Sequence, residues 1–200
     1  MVKKGFIICA LLFVSQFVFS QADYDDGYII TNSGDTVKGK IKDKKFSADV
    51  ANCDKISFIG ADGKDINKTP YNIKQYCKKG VRFYRSLPIG LESKLKFAEV
   101  LENGDVILFG YISNSFISTT SDVFTKAEKE KDASKNIEYF LQKRKDPNSL
   151  MKVKPKNFQE KAPYFFEDDD ELMKKIEGNS LGYDDVRFIV KTHNENAKKK

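Results

Sequence analysis

Tryptophan is absent from the 200-residue chain, and histidine occurs once, at His193. A serine–histidine catalytic pair would depend wholly on that residue, and no set of histidines and cysteines has the spacing of a zinc site. The glycine-rich motifs that cradle phosphates are also missing. We therefore predict no catalytic residues, no metal ligands and no cofactor, and we interpret His193 as a helix residue at the rim of the core.

Arginine is scarce as well, because only four of the 35 basic residues are arginines. Arginine is the usual reader of base edges and the usual clamp for phosphates. The net charge of +6 comes instead from lysines that are mixed with many acidic residues. This composition is typical of a solvated surface, so we expect no nucleic acid among the partners.

A long apolar run occurs once, at residues 6–19, shortly after Lys3 and Lys4. It is shorter than the ~20 residues that a membrane-spanning helix needs. The pattern is typical of a signal peptide at residues 1–20, cleaved before Gln21 or, alternatively, after Ala22. Cleavage would remove the charges of Lys3 and Lys4 and lower the net charge from +6 to +4. We expect a secreted or periplasmic protein with no transmembrane segment after cleavage.

Cysteine is rare too, and the predicted mature chain keeps only Cys53 and Cys77. Two thiols in an oxidising compartment can form a disulfide. A bridge that closes a loop of this length would stabilise the fold by roughly 3 kcal/mol. The alternative is two separate buried thiols, which behave as small hydrophobic groups. The sequence leaves both possibilities open.

The first stretch after the leader, residues 27–42, has the pattern of a β-hairpin. Turn-forming residues at 32–35 separate an apolar run from a strictly alternating one. In the second run Val37, Gly39 and Ile41 share one face and lysines occupy the other, as in a half-buried strand. The lysines could form an anion-binding row, but we interpret them as a solvated sheet face.

Further β-patterns follow, and one of them is apolar on both faces. We predict a strand at Ile56–Ile59, a short helical turn at residues 69–76, a strand at 81–87 and hairpins at 95–112 and 136–153. Asn103 and Gly104 mark the turn of the first of these hairpins. Its second strand, Val106–Ile112, should be central, with the C-terminal helices covering its second face. Residues 113–135 read as a long exposed connection.

After Pro155 the period of the apolar residues changes from 2 to 3.6. A first helical stretch at residues 158–165 is interrupted by Pro163. In residues 168–178 the acidic residues come first, the lysines come last and Gly178 ends the pattern, which predicts a helix. The less favoured alternative is that the acidic residues form a metal site. A last helix, capped by Asp184, carries His193 on its apolar face and is followed by a basic tail from residue 194.

Together these patterns predict an α+β protein. An antiparallel β-sheet or partly open β-barrel at residues 21–155 is followed by two or three helices at 156–195 and a disordered tail at 196–200. The lack of catalytic residues and the predicted exposure of Tyr84 and Tyr111 favour a non-enzymatic binding or envelope-associated module, whose partner is an envelope or extracellular protein or a glycan. The alternatives are a secreted hydrolase with a carboxylate pair and a structural protein without a ligand.

Residues 27–41, GYIITNSGDTVKGKI, directly after the predicted leader, resemble the opening of a group of secreted proteins from Bacteroidota-type bacteria. The similarity continues at residues 69–73, at 139–141 and in the helical C-terminus. It implies a compact β-domain with appended helices. The group has no assigned activity, so no site residues are implied. Residues 113–135 do not share this resemblance and look like an insertion.

Overall fold

A computed structural model of the protein describes residues 24–43, 54–89, 93–112 and 137–199. The predicted leader, Cys53 and the connection at 113–135 lie outside these residues. The described residues form one ten-stranded antiparallel sheet followed by three α-helices, which confirms the predicted α+β class with an open sheet. The strands are β1 Asp25–Thr31, β2 Thr36–Lys42, β3 Ile56–Ile59, β4 Asp65–Lys68, β5 Ile73–Lys78, β6 Arg82–Pro88, β7 Leu95–Asn103, β8 Val106–Ile112, β9 Ile137–Lys143 and β10 Met151–Val153. The helices are α1 Phe158–Phe166, α2 Asp170–Glu177 and α3 Val186–Ala197.

The opening hairpin lies inside the sheet rather than at its edge. The strand order is β10-β9-β8-β7-β6-β5-β1-β2-β3-β4, so β5 to β10 run as a meander and β1 pairs with β5. The short strands β10 and β4 form the two edges. None of the helices in the described part of the chain is both long enough and apolar enough to cross a membrane.

The sheet curls strongly on one face. Lys96 at the start of β7 binds Asp54, which precedes β3, with an Nζ–Oδ1 distance of 2.5 Å. These two strands are five positions apart in the sheet, which would separate them by about 24 Å if it were flat. Gly27 and Gly39 pair across β1 and β2 at the bend. A Cβ at Gly39 would lie 2.6 Å from the ring of Phe58, so glycine is required there by close approach.

This curled face carries two separate hydrophobic cores. The first, which we name the curl-closed core, is formed by strands alone: Ile29, Ile41, Ile56, Phe58, Ile73, Tyr76, Tyr84 and Phe97. The second, the helix-covered core, joins β8, β9 and β10 to all three helices: Val106, Leu108, Leu141, Val153, Phe158, Ala162, Phe165, Phe166, Leu172, Met173, Ile176, Val186, Ile189 and Val190. The register places Tyr76, Tyr84, Glu99 and Gly110 in one row that links the two cores.

The prediction for β8 is confirmed, since all seven of its residues are buried. Val106 and Leu108 face the helices, as expected, while Ile107 and Phe109 belong to an apolar cluster on the opposite face. The hairpin at residues 95–112 is also confirmed, but Gly104 is not among the glycines with positive φ. Gly104 is needed instead because a Cβ at this position would overlap the side chain of Asn194.

Several local predictions are wrong. Residues 69–76 do not form a helical turn: a tight turn, closed by the bond from the Asn72 N–H to the Thr69 carbonyl at 2.9 Å, leads directly into β5. Burial of Ile73 and of Tyr76, Cys77 and Lys78 in β5 outweighs the local signal of a helix start. The edge strand β4 was not predicted, because its residues are largely exposed and show no apolar alternation.

Tyr84 and Tyr111 are buried, contrary to the prediction that they are exposed. Tyr84 stacks on Tyr76 inside the curl-closed core, with ring centroids 4.4 Å apart. Tyr111 lies in β8, which is covered on both faces. Val81, where the predicted strand begins, is exposed because the strand starts only at Arg82. Strands buried on both faces do not follow simple alternation.

The three helices differ from the predictions mainly at their ends. α1 continues through Pro163, whose carbonyl accepts a bond from the Glu167 N–H at 3.0 Å. α2 begins after Asp169 and ends at Gly178, as its charge order indicates. Asp184 does not cap α3; it lies within a short 3₁₀ turn that leads into the helix. α3 extends to Ala197, so residue 194 belongs to the helix and not to a tail.

Candidate functional site

A cavity of about 290 Å³ lies where the ends of β8 and β9 meet the helices. We name it the helix-end cavity. Its buried wall is formed by Val106, Phe165 and His193. The other lining residues carry charge: Asp105, Lys143, Lys145, Glu167 and Asp168. Apolar surface with a few polar groups is the usual composition of a small-molecule site.

Asn194 fixes α3 against this end of the sheet. Its side-chain amide donates to the Val106 carbonyl at 2.8 Å, and its Oδ1 accepts from the Val106 N–H at 3.0 Å. A Cβ at Gly104 would overlap the Asn194 side chain, so the glycine of the β7–β8 turn provides the space for this contact. Arg144 holds the same turn by donating to the Gly104 carbonyl at 2.8 Å. The cavity wall is therefore rigidly placed.

His193 lies one residue before Asn194 and is only 3% exposed. Its Nε2 lies 3.9 Å from Asp168 Oδ1, and its Nδ1 lies 3.8 Å from Asp169 Oδ2. Both distances exceed the length of a hydrogen bond. Nδ1 is buried and has no hydrogen-bond partner among the described residues. The imidazole is held by an edge-to-face contact with Phe166, whose ring centroid is 5.3 Å away.

Asp169 and Lys143 are held by other contacts. Asp169 caps α2 by accepting from the Leu172 N–H at 3.2 Å, and its other oxygen accepts from Asn196 at 3.0 Å. The Lys143 ammonium lies 4.4 Å from the centre of the Tyr164 ring and 3.7 Å from Glu167 Oε1. Asp169 thus joins α2 to α3, and Lys143 is drawn toward the rim of the cavity.

The lining contains no serine, threonine or cysteine that could act as a nucleophile. Among the described residues no group of three or more histidine, cysteine or acidic side chains is arranged to hold a metal ion. The cavity lining therefore has the groups for binding a polar molecule and lacks a hydroxyl or thiol nucleophile beside its histidine.

A second cluster of polar groups lies at one end of the curl-closed core. The Lys78 ammonium binds Asp43 at 2.5 Å and Asp25 at 3.0 Å, and the Asp43 side chain is only 1% exposed. Burial, the largest single effect, pushes the pKa of Lys78 down, but the hydrogen bonds and charges of Asp43 and Asp25 together outweigh it, so this pKa lies above its usual value. Burial also raises the pKa of Asp25, but hydrogen bonds from Lys78 and Lys79 outweigh it and lower that pKa below its usual value.

Arg82 and Glu99 extend this cluster through two parallel hydrogen bonds, each 2.9 Å long. The hydrogen bond to Glu99 raises the pKa of Arg82. A general acid in a carboxylate-pair hydrolase needs a raised pKa, whereas that of Asp25 is lowered. The close pair Asp25 and Asp43 is therefore suited to hold Lys78 in place rather than to acid–base catalysis.

The remaining predicted residues do not form a site. Cys77 is buried in β5, and because Cys53 lies outside the described residues, a disulfide between them stays a prediction. Lys38 and Lys40 line a shallow, open groove together with Gly27 and Asp26. No buried polar side chain lines that groove. It therefore agrees with the interpretation of a solvated sheet face.

No protein-family model, curated protein or solved structure matches this chain. The resemblance to a group of secreted bacterial proteins therefore stays a prediction, and the function has to be inferred from the residues themselves.

The sequence did not single out Asn194, Lys143 or Asp105 as residues of a site. For Asn194 a signal existed, because Val186, Ile189, Val190, His193 and Asn194 follow the i, i+3, i+4, i+7, i+8 spacing of one helix face. A polar residue at a core position of a helix indicates a specific buried partner. For Lys143 and Asp105 no local signal distinguishes them from other surface charges.

Proposed function

We propose that the protein is an exported, non-enzymatic binding module whose ligand site is the helix-end cavity. One observation carries this proposal: the cavity places the buried His193 imidazole, whose Nε2 lies 3.9 Å from Asp168 Oδ1, beside the apolar surface of Val106 and Phe165. A ligand that donates to this nitrogen would supply a hydrogen bond that the ring does not make to Asp168 at that distance.

The alternative function, a hydrolase with two carboxylates, has less support. Asp25 and Asp43 are close together, but both bind the same lysine. We therefore expect no turnover of chromogenic glycosides, and activity that is lost in an Asp25→Asn variant would contradict the proposal.

Binding can be tested by nuclear magnetic resonance with a panel of free amino acids, monosaccharides, short amines and short carboxylates. We expect at least one class of probe to shift the resonances of Val106, Phe165 and His193. The variant Glu167→Trp, which places a bulky ring at an exposed rim position, should weaken binding. The matched variant Glu177→Trp, at the exposed far end of α2, should not. A panel that leaves the three cavity residues unshifted would refute the proposal.

Export rests on the basic and apolar pattern of residues 1–20. Mass spectrometry of the protein recovered from a periplasmic fraction should give a chain that begins at Gln21 or at Asp23. Recovery of the intact chain from the cytoplasm alone would contradict export and leave the binding site untouched.

A further inference from the structure

The charges around the helix-end cavity are predominantly negative. Three carboxylates, those of Asp105, Glu167 and Asp168, line it, and a fourth, that of Asp169, lies behind the imidazole. Two lysines oppose them, and the ammonium of one, Lys143, already contacts Glu167 and the Tyr164 ring. A site with this balance favours a positively charged ligand over an anion, because opposite charges attract.

The imidazole adds a hydrogen-bond acceptor at the buried wall. Nδ1 faces Asp169, which is buried and does not line the cavity, and Nε2 faces Asp168, which does. A neutral ring with its proton on Nδ1 points that proton at the Asp169 carboxylate and leaves Nε2 as an acceptor on the cavity side. Nε2 and the Asp168 carboxylate are then two neighbouring acceptors.

We propose that the helix-end cavity binds the ammonium group of a small primary amine, an inference that rests on the proposed binding function. The ammonium donates N–H bonds to His193 Nε2 and to the Asp168 carboxylate, and the alkyl part of the ligand packs on Phe165 and Val106. An ammonium has three donors in a compact group, which suits two adjacent acceptors. The cavity volume of about 290 Å³ is sufficient for a small amine.

Isothermal titration calorimetry of the purified protein with four probes of similar size tests this assignment: butylamine, butyrate, butanol and tetramethylammonium. We expect butylamine to bind most tightly. Tetramethylammonium carries the charge without N–H donors and should bind about tenfold more weakly or worse, as expected when a charge-assisted hydrogen bond is lost. Equal or tighter binding of butyrate, butanol or tetramethylammonium would overturn the assignment.

Two variants locate the interaction. Asp168→Asn, at a largely exposed position, and His193→Phe, which keeps a planar ring without nitrogen atoms, should each weaken butylamine binding about tenfold. Asp184→Asn makes the same change of net charge in the 3₁₀ turn before α3 and should leave binding unchanged. Equal losses in Asp168→Asn and Asp184→Asn would overturn the assignment.

The probe experiments can distinguish an error in the amine assignment from an error in the proposed binding function. If butyrate or butanol shifts the cavity resonances and butylamine does not, the cavity binds ligands but the amine assignment is wrong. If no probe of any class shifts them, both are wrong.

Discussion

The two cores of the sheet differ in how a buried titratable side chain is held beside each of them. The curl-closed core is closed by the sheet itself, and the buried Lys78 is bound by two carboxylates at 2.5 and 3.0 Å. The helix-covered core is closed by separate helices, and its buried His193 faces two carboxylates at 3.8 and 3.9 Å. The ion pairs of Lys78 hold strands in register, whereas the looser surroundings of His193 leave an open cavity beside its Nε2.

This difference suggests which part of the molecule binds ligands. A buried ion pair strongly destabilises the fold when one of its partners is removed, which is the mark of a structural contact. A buried imidazole beyond hydrogen-bond distance from its neighbours can accept a ligand without breaking existing contacts. We therefore assign a structural role to the curl-closed core and the ligand site to the helix-covered core.

The largest effect is expected from Lys78→Met. The change leaves the Asp43 carboxylate buried without its cation and should lower the free energy of unfolding by roughly 3–5 kcal/mol in urea titrations. Lys74→Met, on the exposed face of the same strand, is the control and should change it by less than about 0.5 kcal/mol. The double variant Asp43→Leu with Lys78→Met should recover most of the loss. If Lys78→Met behaves like Lys74→Met, the cluster does not stabilise the curl-closed core.

A smaller loss is expected from Asn194→Ala in the helix-covered core. Both backbone groups of Val106 lose their partner, at about 1–3 kcal/mol for each buried group, so we expect a loss of about 3 kcal/mol in the same titration. The neighbouring Glu195→Ala changes an exposed residue of α3 and should be nearly neutral. Equal effects of the two changes would show that Asn194 does not anchor the helix.

Gly39→Ala should cost about 2 kcal/mol, because the new methyl group meets the Phe58 ring and the Ile59 carbonyl at the bend of the sheet. Gly182→Ala is the matched control, since nothing lies within 4 Å of its Cβ position. Because the bend closes only one of the two cores, butylamine binding should be retained in folded Gly39→Ala protein. Loss of binding in that folded variant would contradict the independence of the two regions.

The smallest effect concerns the pH dependence of stability through Asp25. Its pKa is lowered in the folded protein, so its contribution is present above the unfolded value of about 3.9 and is lost as the pH falls through the folded value. Asp25→Asn should therefore be less stable than the natural protein near pH 6, and the difference should shrink toward pH 2.5. Urea midpoints measured across that range check this, and a gap that widens with acid would contradict the ion pairs with Lys78 and Lys79.

Local sequence patterns predicted the elements whose residues have a regular environment. β8 was predicted because every residue in it is apolar, and α2 because its charges and Gly178 complement the helix ends. For β6, alternation does not identify the buried residues, because Tyr84 and Leu87 are both buried in a strand whose two faces are partly covered.

The site depends on contacts between distant residues and could not be predicted in the same way. Asn194 binds Val106 across 88 positions of sequence, and the cavity exists only because α3 is anchored there. The bend at Gly39 depends on where Phe58 packs, which alternation along β2 does not specify. Periodicity describes one element at a time, whereas a cavity is formed by the junction of several.

The most direct test of the account uses the fact that His193 is the chain's only histidine, so its ring gives a single Cε1–Hε1 correlation in the nuclear magnetic resonance spectrum. We predict that saturating butylamine shifts this correlation, while the backbone resonances of Lys78 and Asp43 stay in place. A His193 correlation that does not move, together with shifts around Lys78, would contradict the assignment of the ligand site to the helix-covered core.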